Sequence, residues 1–371
     1  MKKTVTKIPP VDLSAYRNKK VFLTGHTGFK GSWMSVWLSQ LGAQVKGYSL
    51  KPENISLYGQ IFKKLNNHQS VIADINNQKV LEKELIEFQP DFIFHFAAQP
   101  LVRYSYSNPI ETFQTNVMGT ANLLEAVRKM NRRCNVICVT TDKVYHNTEK
   151  KQPFKEEDAL GGYDPYSASK AACEILIESY RLSFFNPADI KKHKTAIASA
   201  RAGNVIGGGD YASDRIVPDI YRALSKSATI PVRNPNSVRP WQHVLESLLG
   251  YLLLGMHLQK DPQKFSTAFN FGPDKHDDLP VELLVKNSIV AWGKGGYEII
   301  KAKDTLHESG YLSLDNSKTK KMLDWQPKWN AKQAIKKTIT WYKKSLEENC
   351  DVIELCKKDI EEYLNDDIKT K

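Results

Sequence analysis

Between residues 20 and 201, short apolar runs alternate with longer segments in which apolar residues recur every three or four positions. That alternation of strand and helix is what a parallel sheet covered on both faces requires. The run Lys20-Val21-Phe22-Leu23-Thr24 reads as a buried strand, and behind it Trp33, Val36, Trp37 and Leu41 fall at helical spacing. Further strands are predicted at residues 45–50, 70–73, 91–97, 135–141 and 195–201. Two long helices are predicted between strands. One spans 112–129 with Phe113, Val117, Leu124 and Val127 on one face, and the other spans 167–185 with Ala171, Ile175, Leu176 and Leu182 on one face. Either stripe suits the cover of a sheet, and a second exposed apolar face on such helices would suit a dimer. The apolar segment at 248–256 is too short to span a bilayer and follows Glu246, so it reads as a buried helix.

After Arg201-Ala202-Gly203-Asn204 the alternation becomes irregular. Gly207-Gly208-Gly209-Asp210, residues 231–239 and Asn270-Phe271-Gly272-Pro273 read as loops joined by short helices. The expected organisation is a first domain over 1–200, with 240–270 packing back on it. A second domain is expected over 201–239 and 271–345, and a C-terminal surface helix or tail over 346–371.

The first strand ends at Gly25-His26-Thr27-Gly28-Phe29-Lys30-Gly31, and a helix follows. In a strand, turn and helix with this G-x-x-G-x-x-G spacing, missing Cβ atoms let backbone amides and the helix N-terminus approach a pyrophosphate. Open α/β sheets place ligands at the carboxyl ends of their strands. Asp74 and Ile75 follow the third strand, where they suit the neighbourhood of an adenine, although Asp74 also suits a helix cap. Ala97 closes the fourth and Ala98 and Gln99 follow it, where small residues let a cofactor lie against the backbone, and Thr141 and Asp142 fall at the carboxyl end of the fifth. The expected class is therefore α/β: a Rossmann-type doubly wound parallel sheet with a smaller, discontinuous substrate-binding α/β domain. The acid that commonly meets the adenosine ribose after the second strand is missing from Tyr48-Ser49-Leu50-Lys51, and Lys51 could attract a 2′-phosphate. These residues by themselves leave NAD and NADP both open.

The reactive chemistry concentrates in Thr140-Thr141-Asp142-Lys143 and Tyr166-Ser167-Ala168-Ser169-Lys170. Tyr166 and Lys170, four residues apart, share one face of a helix, so the ammonium is expected to lower the phenol's pKa and make it a base near neutrality. Asp142 and Lys143 add a second acid and a second base. Two acid/base pairs point to two linked proton transfers, more than alcohol oxidation requires.

Composition narrows the class. The 371 residues, 41% hydrophobic and 25% charged, suit a soluble globular protein of about two domains. The net charge of +12 is spread through pairs such as Lys191-Lys192, Lys336-Lys337 and Lys343-Lys344 without interleaved aromatics, which argues against a nucleic-acid partner. A basic surface does attract a dianionic diphosphate. Cys134, Cys138, Cys173, Cys350 and Cys356 show no zinc-like spacing and are read as free thiols, with no metal expected. Pro9, Pro10 and Asp12 interrupt what a signal peptide would need, so a cytoplasmic location is expected, with no membrane segment.

Gly25, Gly28 and Gly31 with Ala97-Ala98, Asn116, Thr141-Asp142, Tyr166 and Lys170 resemble the extended short-chain dehydrogenase/reductase superfamily over nearly the whole chain. Within it, Thr24 to Gly31, Gln99-Pro100-Leu101-Val102-Arg103, Thr141-Asp142-Lys143, Arg201 to Asp210 and Arg239-Pro240-Trp241-Gln242-His243-Val244 are similar to the CDP-glucose 4,6-dehydratases. Most nucleotide-sugar dehydratases carry Asp-Glu where this chain has Asp142-Lys143. The resemblance implies NAD, held by Gly25, Thr27, Gly28, Phe29, Lys30, Gly31, Asp74, Ile75, Ala97, Ala98, Gln99, Asn116, Tyr166 and Lys170. It implies CDP-glucose or a related nucleotide sugar as substrate, and deoxysugar synthesis as the setting. Thr141, Asp142, Lys143, Tyr166 and Lys170 would be catalytic, with Tyr166 as base at the 4-hydroxyl, Asp142 as acid at the 6-hydroxyl and Lys143 as base at C5. Arg103, Asn204, Arg215, Arg233, Arg239 and His307 are the substrate candidates, since planar guanidinium groups bridge diphosphate oxygens. His243 suits either the sugar pocket or packing. A homodimer is expected. The alternatives are a 4-epimerase, a dehydratase of a related hexose or heptose, and a non-catalytic nucleotide- or RNA-binding protein.

Overall fold

Seven parallel strands form the central sheet: β1 (Lys20–Thr24), β2 (Gln44–Ser49), β3 (His68–Ile72), β4 (Phe92–His95), β5 (Cys134–Val139), β6 (Thr195–Ala202) and β7 (Ala268–Phe271). The structure is a computed structural model and describes residues 11–149, 152–300 and 311–366. The spatial order is β7-β6-β5-β4-β1-β2-β3, so the chain starts in the middle, winds to one edge and then crosses to the other. This is the doubly wound arrangement expected from the alternation of strands and helices. Val21, Phe22 and Leu23 have no exposed surface, which is why β1 is apolar without interruption: both faces are covered.

The longer helices are α1 (Phe29–Gln40), α2 (Gln78–Phe88), α3 (Gly119–Met130), α4 (Pro165–Ser183), α5 (Ile216–Ser225), α6 (Val244–Lys260), α7 (Val281–Trp292), α8 (Ala331–Ser345) and α9 (Val352–Asn365). Trp33 and Trp37 of α1 and Leu248 and Leu252 of α6 fill one side of the sheet. Leu81 and Leu85 of α2, Leu123 and Leu124 of α3 and Cys173 and Ile177 of α4 fill the other. The 248–256 segment is thus the middle of a buried helix that packs on β5, β6 and α1. In α9, Ile353, Cys356, Ile360 and Tyr363 are buried, and Tyr363 sets its ring edge-on against Trp37. Short pairings build the rim above the sheet's carboxyl edge: Val205–Ile206 with Gln242–His243, Val238–Arg239 with Leu279–Pro280, and Ile230–Val232 with Tyr297–Ile299.

Three local expectations change. Asn270-Phe271 is the end of edge strand β7 and not a loop, because Asn270 is buried with its amide donating to the Phe154 and Asp315 carbonyls and accepting from the Tyr145 hydroxyl. The helix expected over 112–129 is a short helix at Pro109–Phe113, a π-helical turn at Gln114–Met118 and then α3. The face assigned to α4 is also wrong. Ile175 and Leu182 are 60% and 57% exposed, while Ser169, Lys170, Cys173, Glu174 and Ile177 face the sheet.

Glu174 explains how that polar face is tolerated. Its carboxylate accepts from Thr140, from Ser199 Oγ at 2.8 Å and from Arg201 Nη2 at 2.8 Å, and Arg201 also donates to Tyr145 Oη at 2.9 Å. A buried ion pair satisfied on both sides can be retained, but removing one partner strands the other charge. Glu174→Ala is expected to lower the unfolding free energy by about 3–5 kcal/mol. A urea midpoint matching that of the parent protein would refute this account.

Candidate active site

The glycine turn fixes one end of the site. Gly25 has φ 72°, and a Cβ there would stand 2.8 Å from the Ala97 amide nitrogen at the end of β4. At Gly31 a Cβ would meet the Gly25 carbonyl oxygen at 2.1 Å. The chain can therefore leave β1, reverse and enter α1 only if these two positions lack side chains. Thr27 Oγ1 hydrogen-bonds Ser49 Oγ at 2.8 Å and the Leu50 carbonyl at 3.0 Å, tying the turn to the end of β2. The first turn of α1 lines a cleft of about 730 Å³ that runs along the carboxyl edge of the sheet.

Gly25, Thr27, Gly28, Phe29, Lys30, Gly31, Asp74, Ile75, Ala97, Ala98, Tyr166 and Lys170 all line this cleft. Ile75 is buried and packs against Gly119, whereas the Asp74 carboxylate is exposed and accepts from the Asn76 amide at 2.8 Å. Gln99 and Asn116 lie behind the wall instead. Asn116 Oδ1 accepts from the Gln99 amide at 2.8 Å, and its Nδ2 donates to the Gln99 carbonyl at 3.2 Å and to Ser169 Oγ at 2.8 Å. The π turn that carries Asn116 thus braces the end of β4 against α4.

The candidate catalytic residues meet above the middle of the sheet. Asp164 caps α4, accepting from the Ser167 amide at 2.9 Å and from Ser167 Oγ at 2.6 Å, and Pro165 opens the helix, so Tyr166 sits in its first turn. Tyr166 and Lys170 are both buried. Lys170 Nζ donates to the Val139 carbonyl at 3.3 Å, and burial lowers its pKa. The expected lowering of the Tyr166 phenol is not found. Burial pushes it up to about 12, with the charges of Asp142 and Asp164 adding to the rise and the Thr141 hydroxyl and Arg215 opposing it.

Asp142 is 1% exposed. Its Oδ1 accepts from Thr141 Oγ1 at 2.9 Å, while its Oδ2 is buried without a hydrogen-bond partner among the described residues. Gly203 keeps space beside that oxygen, since a Cβ there would stand 3.0 Å from it. Lys143 lines the same cleft, partly buried, with its amide directed to Thr141 Oγ1 at 3.4 Å.

At the far end Arg103, Asn204, Arg215, Arg233 and Arg239 also line the cleft. Arg215 donates to Asp210 at 2.9 Å, Arg233 to Asp214 at 3.5 Å, and Arg103 lies 4.0 Å from the same Asp214 carboxylate. Arg239 donates to the Val238 carbonyl at 3.0 Å. The arginines were legible as types, but the aspartates that orient them were not. Asp164 did carry a signal in the Asp-Pro step, an N-cap followed by proline. His243 is buried outside the cleft, where it accepts from the Leu245 amide at 3.4 Å and packs on Trp33 and Trp329. His307 falls outside the described residues. All five cysteines are free, and among the described residues no group of His, Cys, Asp or Glu could hold a metal ion.

Comparison with known proteins agrees with this geometry. The family model for GDP-mannose 4,6 dehydratase matches residues 22–338. The chain belongs to that family. Within it, the chain is 42% identical over 355 residues to the CDP-glucose 4,6-dehydratase of Salmonella typhimurium, covering 96% of this chain and 99% of that protein. It is 26% identical to the CDP-paratose 2-epimerase of Salmonella typhi over 87% of this chain and 98% of that one. Among solved structures, dTDP-glucose 4,6-dehydratase from Bacillus anthracis in complex with NAD superposes with a TM-score of 0.73 at 24% identity, covering 88% of this chain and 97% of that chain. The resemblance read from the motifs is borne out, as is the Rossmann-type fold.

The turn itself can be tested apart from any reaction. Gly31→Ala forces a methyl onto a backbone carbonyl, whereas at Gly28 a Cβ would have its nearest contact at 3.4 Å. Gly31→Ala is expected to destabilise this family member by about 1–3 kcal/mol or more, and Gly28→Ala by about 1 kcal/mol or less. Equal denaturation midpoints for the two variants would contradict the close-approach argument.

Proposed function

We propose that this protein is an NAD-dependent hydro-lyase that converts CDP-glucose to CDP-4-keto-6-deoxyglucose. The observation that carries the reading is the pairing of a buried Tyr166 and Lys170 with a second acid, Asp142, in the same cleft, whose Oδ2 has no hydrogen-bond partner among the described residues. The glycine turn and the amides of α1 suit a pyrophosphate, and the small Ala97 and Ala98 suit a flat ring laid against the backbone. NAD, when bound, supplies the electron acceptor for sugar C4 and returns the same electron pair at C6.

The chain's own groups handle the protons. Tyr166 takes the proton of the 4-hydroxyl, and its high pKa in the protein alone makes added positive charge necessary for phenolate formation. A ketone at C4 acidifies the C5 hydrogen. Lys143 takes that hydrogen as a proton and Asp142 delivers a proton to the departing 6-hydroxyl, so that water leaves; once C6 has received the electron pair, Lys143 returns the proton to C5. Thr141 donates to Oδ1, which leaves Oδ2 as the oxygen for exchange with the sugar. Arg103, Asn204, Arg215, Arg233 and Arg239 receive the nucleotide diphosphate. The nucleotide-binding part comprises 1–200 with 240–270, and the substrate part 201–239 with 271–345. A cytoplasmic setting agrees with five free cysteines, and the product suits deoxysugar and O-antigen assembly.

An epimerase on this fold shares Tyr166 and Lys170 but has no use for a second acid and base. Incubation with NAD⁺ and the CDP, UDP, GDP and dTDP forms of glucose is expected to give loss of one water from the CDP sugar. Asp142→Asn and Lys143→Ala are each expected to slow that loss by about 10²–10⁴-fold while reduced nicotinamide still accumulates in a single turnover. Product of unchanged mass from every sugar would sink the dehydratase reading.

A homodimer is supported by apolar residues that the fold leaves outside. Ile110 (71% exposed), Ile175 (60%), Leu182 (57%) and Met118 (54%) come from α4 and from the Pro109–Met118 segment packed beside it. A second copy of the chain would cover this face. Ile175→Asp with Leu182→Asp is expected to halve the mass seen by sedimentation, and a parent protein that already sediments as a monomer would remove the proposal.

A further inference from the structure

Lys30 is not explained by helix formation. It is the second residue of α1, where the helix macrodipole is positive and a cation is disfavoured. Its side chain turns inward, with Nζ 3.4 Å from Tyr251 Oη and 5.8 Å from the centroid of that ring. Tyr251 projects from α6 and stands edge-on against both Phe96 and Phe271, so the amine rests on a fixed platform. Among the described residues no carboxylate forms an ion pair with it.

The charges that act on Lys30 belong to the reactive end of the cleft. Arg215 and Lys170 repel its ammonium, and Asp142 attracts it. Tyr166 acts on the Tyr251 hydroxyl that holds it, and Lys143 and Asp164 line the same cleft. Burial, followed by the repulsion from Arg215 and Lys170, lowers Lys30 to about 7, so its charge is poised at neutral pH. A ring that exchanges electrons with a sugar carbon beside Tyr166 would share one cleft with Lys30, Asp142, Lys170 and Arg215.

We propose that Lys30 is a positioning residue for the nicotinamide end of the cofactor, neutral beside the oxidised, positively charged ring and protonated beside the reduced, uncharged one. The inference rests on the NAD reading above. The proton exchanges with solvent, so sugar, cofactor and Tyr166 keep their own balance. The consequence is a protein that holds the oxidised cofactor less tightly than the reduced one when Lys30 is charged, which favours oxidation at C4.

The sign follows from linkage. As pH falls and Lys30 takes up its proton, affinity for NAD⁺ falls relative to NADH; the cofactor phosphates, common to both forms, favour the charged amine in both complexes alike and leave that sign unchanged. Isothermal titration of the full-length protein with NAD⁺ and with NADH is expected to show the ratio of dissociation constants, NAD⁺ over NADH, rising about ten-fold from about pH 8 to about pH 6. Lys30→Met is expected to flatten the dependence at a low ratio. Lys30→Arg, charged throughout, is expected to flatten it at a high one. A parent ratio constant within about two-fold over that range, or an unchanged slope in either variant, would overturn the proposal. Absence of binding by both nucleotides at every pH would overturn the cofactor reading itself, and the role of Lys30 with it.

Discussion

Backbone-on-backbone contact at the first turn governs the arrangement of the cleft. Because Gly31 sits against the Gly25 carbonyl and Gly25 against Ala97, α1 begins at one fixed place relative to β1 and β4. That placement is passed on by α1. Trp33 Nε1 donates to the Gly208 carbonyl at 2.9 Å, and a Cβ at Gly208 would stand 1.9 Å from the Trp341 ring of α8. One helix therefore links the turn beneath the cleft to the irregular second half of the chain that roofs it. Asp210, two residues beyond Gly208, is the carboxylate that orients Arg215, and its carbonyl accepts from Tyr342 of α8. The two ends of the site share one rigid connection.

Strands were legible in the sequence where burial is complete on both faces, as in β1, β5 and β6, because their residues are mostly apolar or small there. β7 escaped because it is short, carries a buried Asn270 and runs straight into Gly272-Pro273; its stability comes from partners distant in sequence, Tyr145, Phe154 and Asp315. The face of α4 was misread for a related reason. Its sheet-facing stripe holds the reactive and bracing groups Lys170 and Glu174, so a search for apolar periodicity selected the wrong side. Residue types in the site were largely legible, since glycine spacing and the Tyr-Lys and Asp-Lys steps are local. Their electrostatics were not. Helical spacing put Tyr166 and Lys170 on one face, but Lys170 spends its amine on the Val139 carbonyl, a partner in β5 that spacing cannot show.

Cations and anions are nearly balanced along the cleft. Lys30, Lys51, Lys143, Lys170, Arg103, Arg215, Arg233 and Arg239 line it with Glu53, Asp74, Asp142, Asp164, Asp210, Asp214 and Asp219. Asp210 and Asp214 are engaged by arginines and Asp164 caps a helix, whereas Asp142 is buried beside Thr141. In a partly dry cleft each of these charges acts more strongly on a bound ion than it would in water.

Asp142 stands apart from the other carboxylates of the cleft in how its two oxygens are treated. Thr141 donates to Oδ1, whereas among the described residues no donor is directed at the buried Oδ2. Leaving a buried oxygen without a donor costs about 1–3 kcal/mol, a cost that a hydroxyl entering the cleft would relieve. Gly203 sharpens the division, because any side chain there would crowd Oδ2. The asymmetry is thereby built from two small residues, and it depends on the sheet to bring the ends of β5 and β6 together.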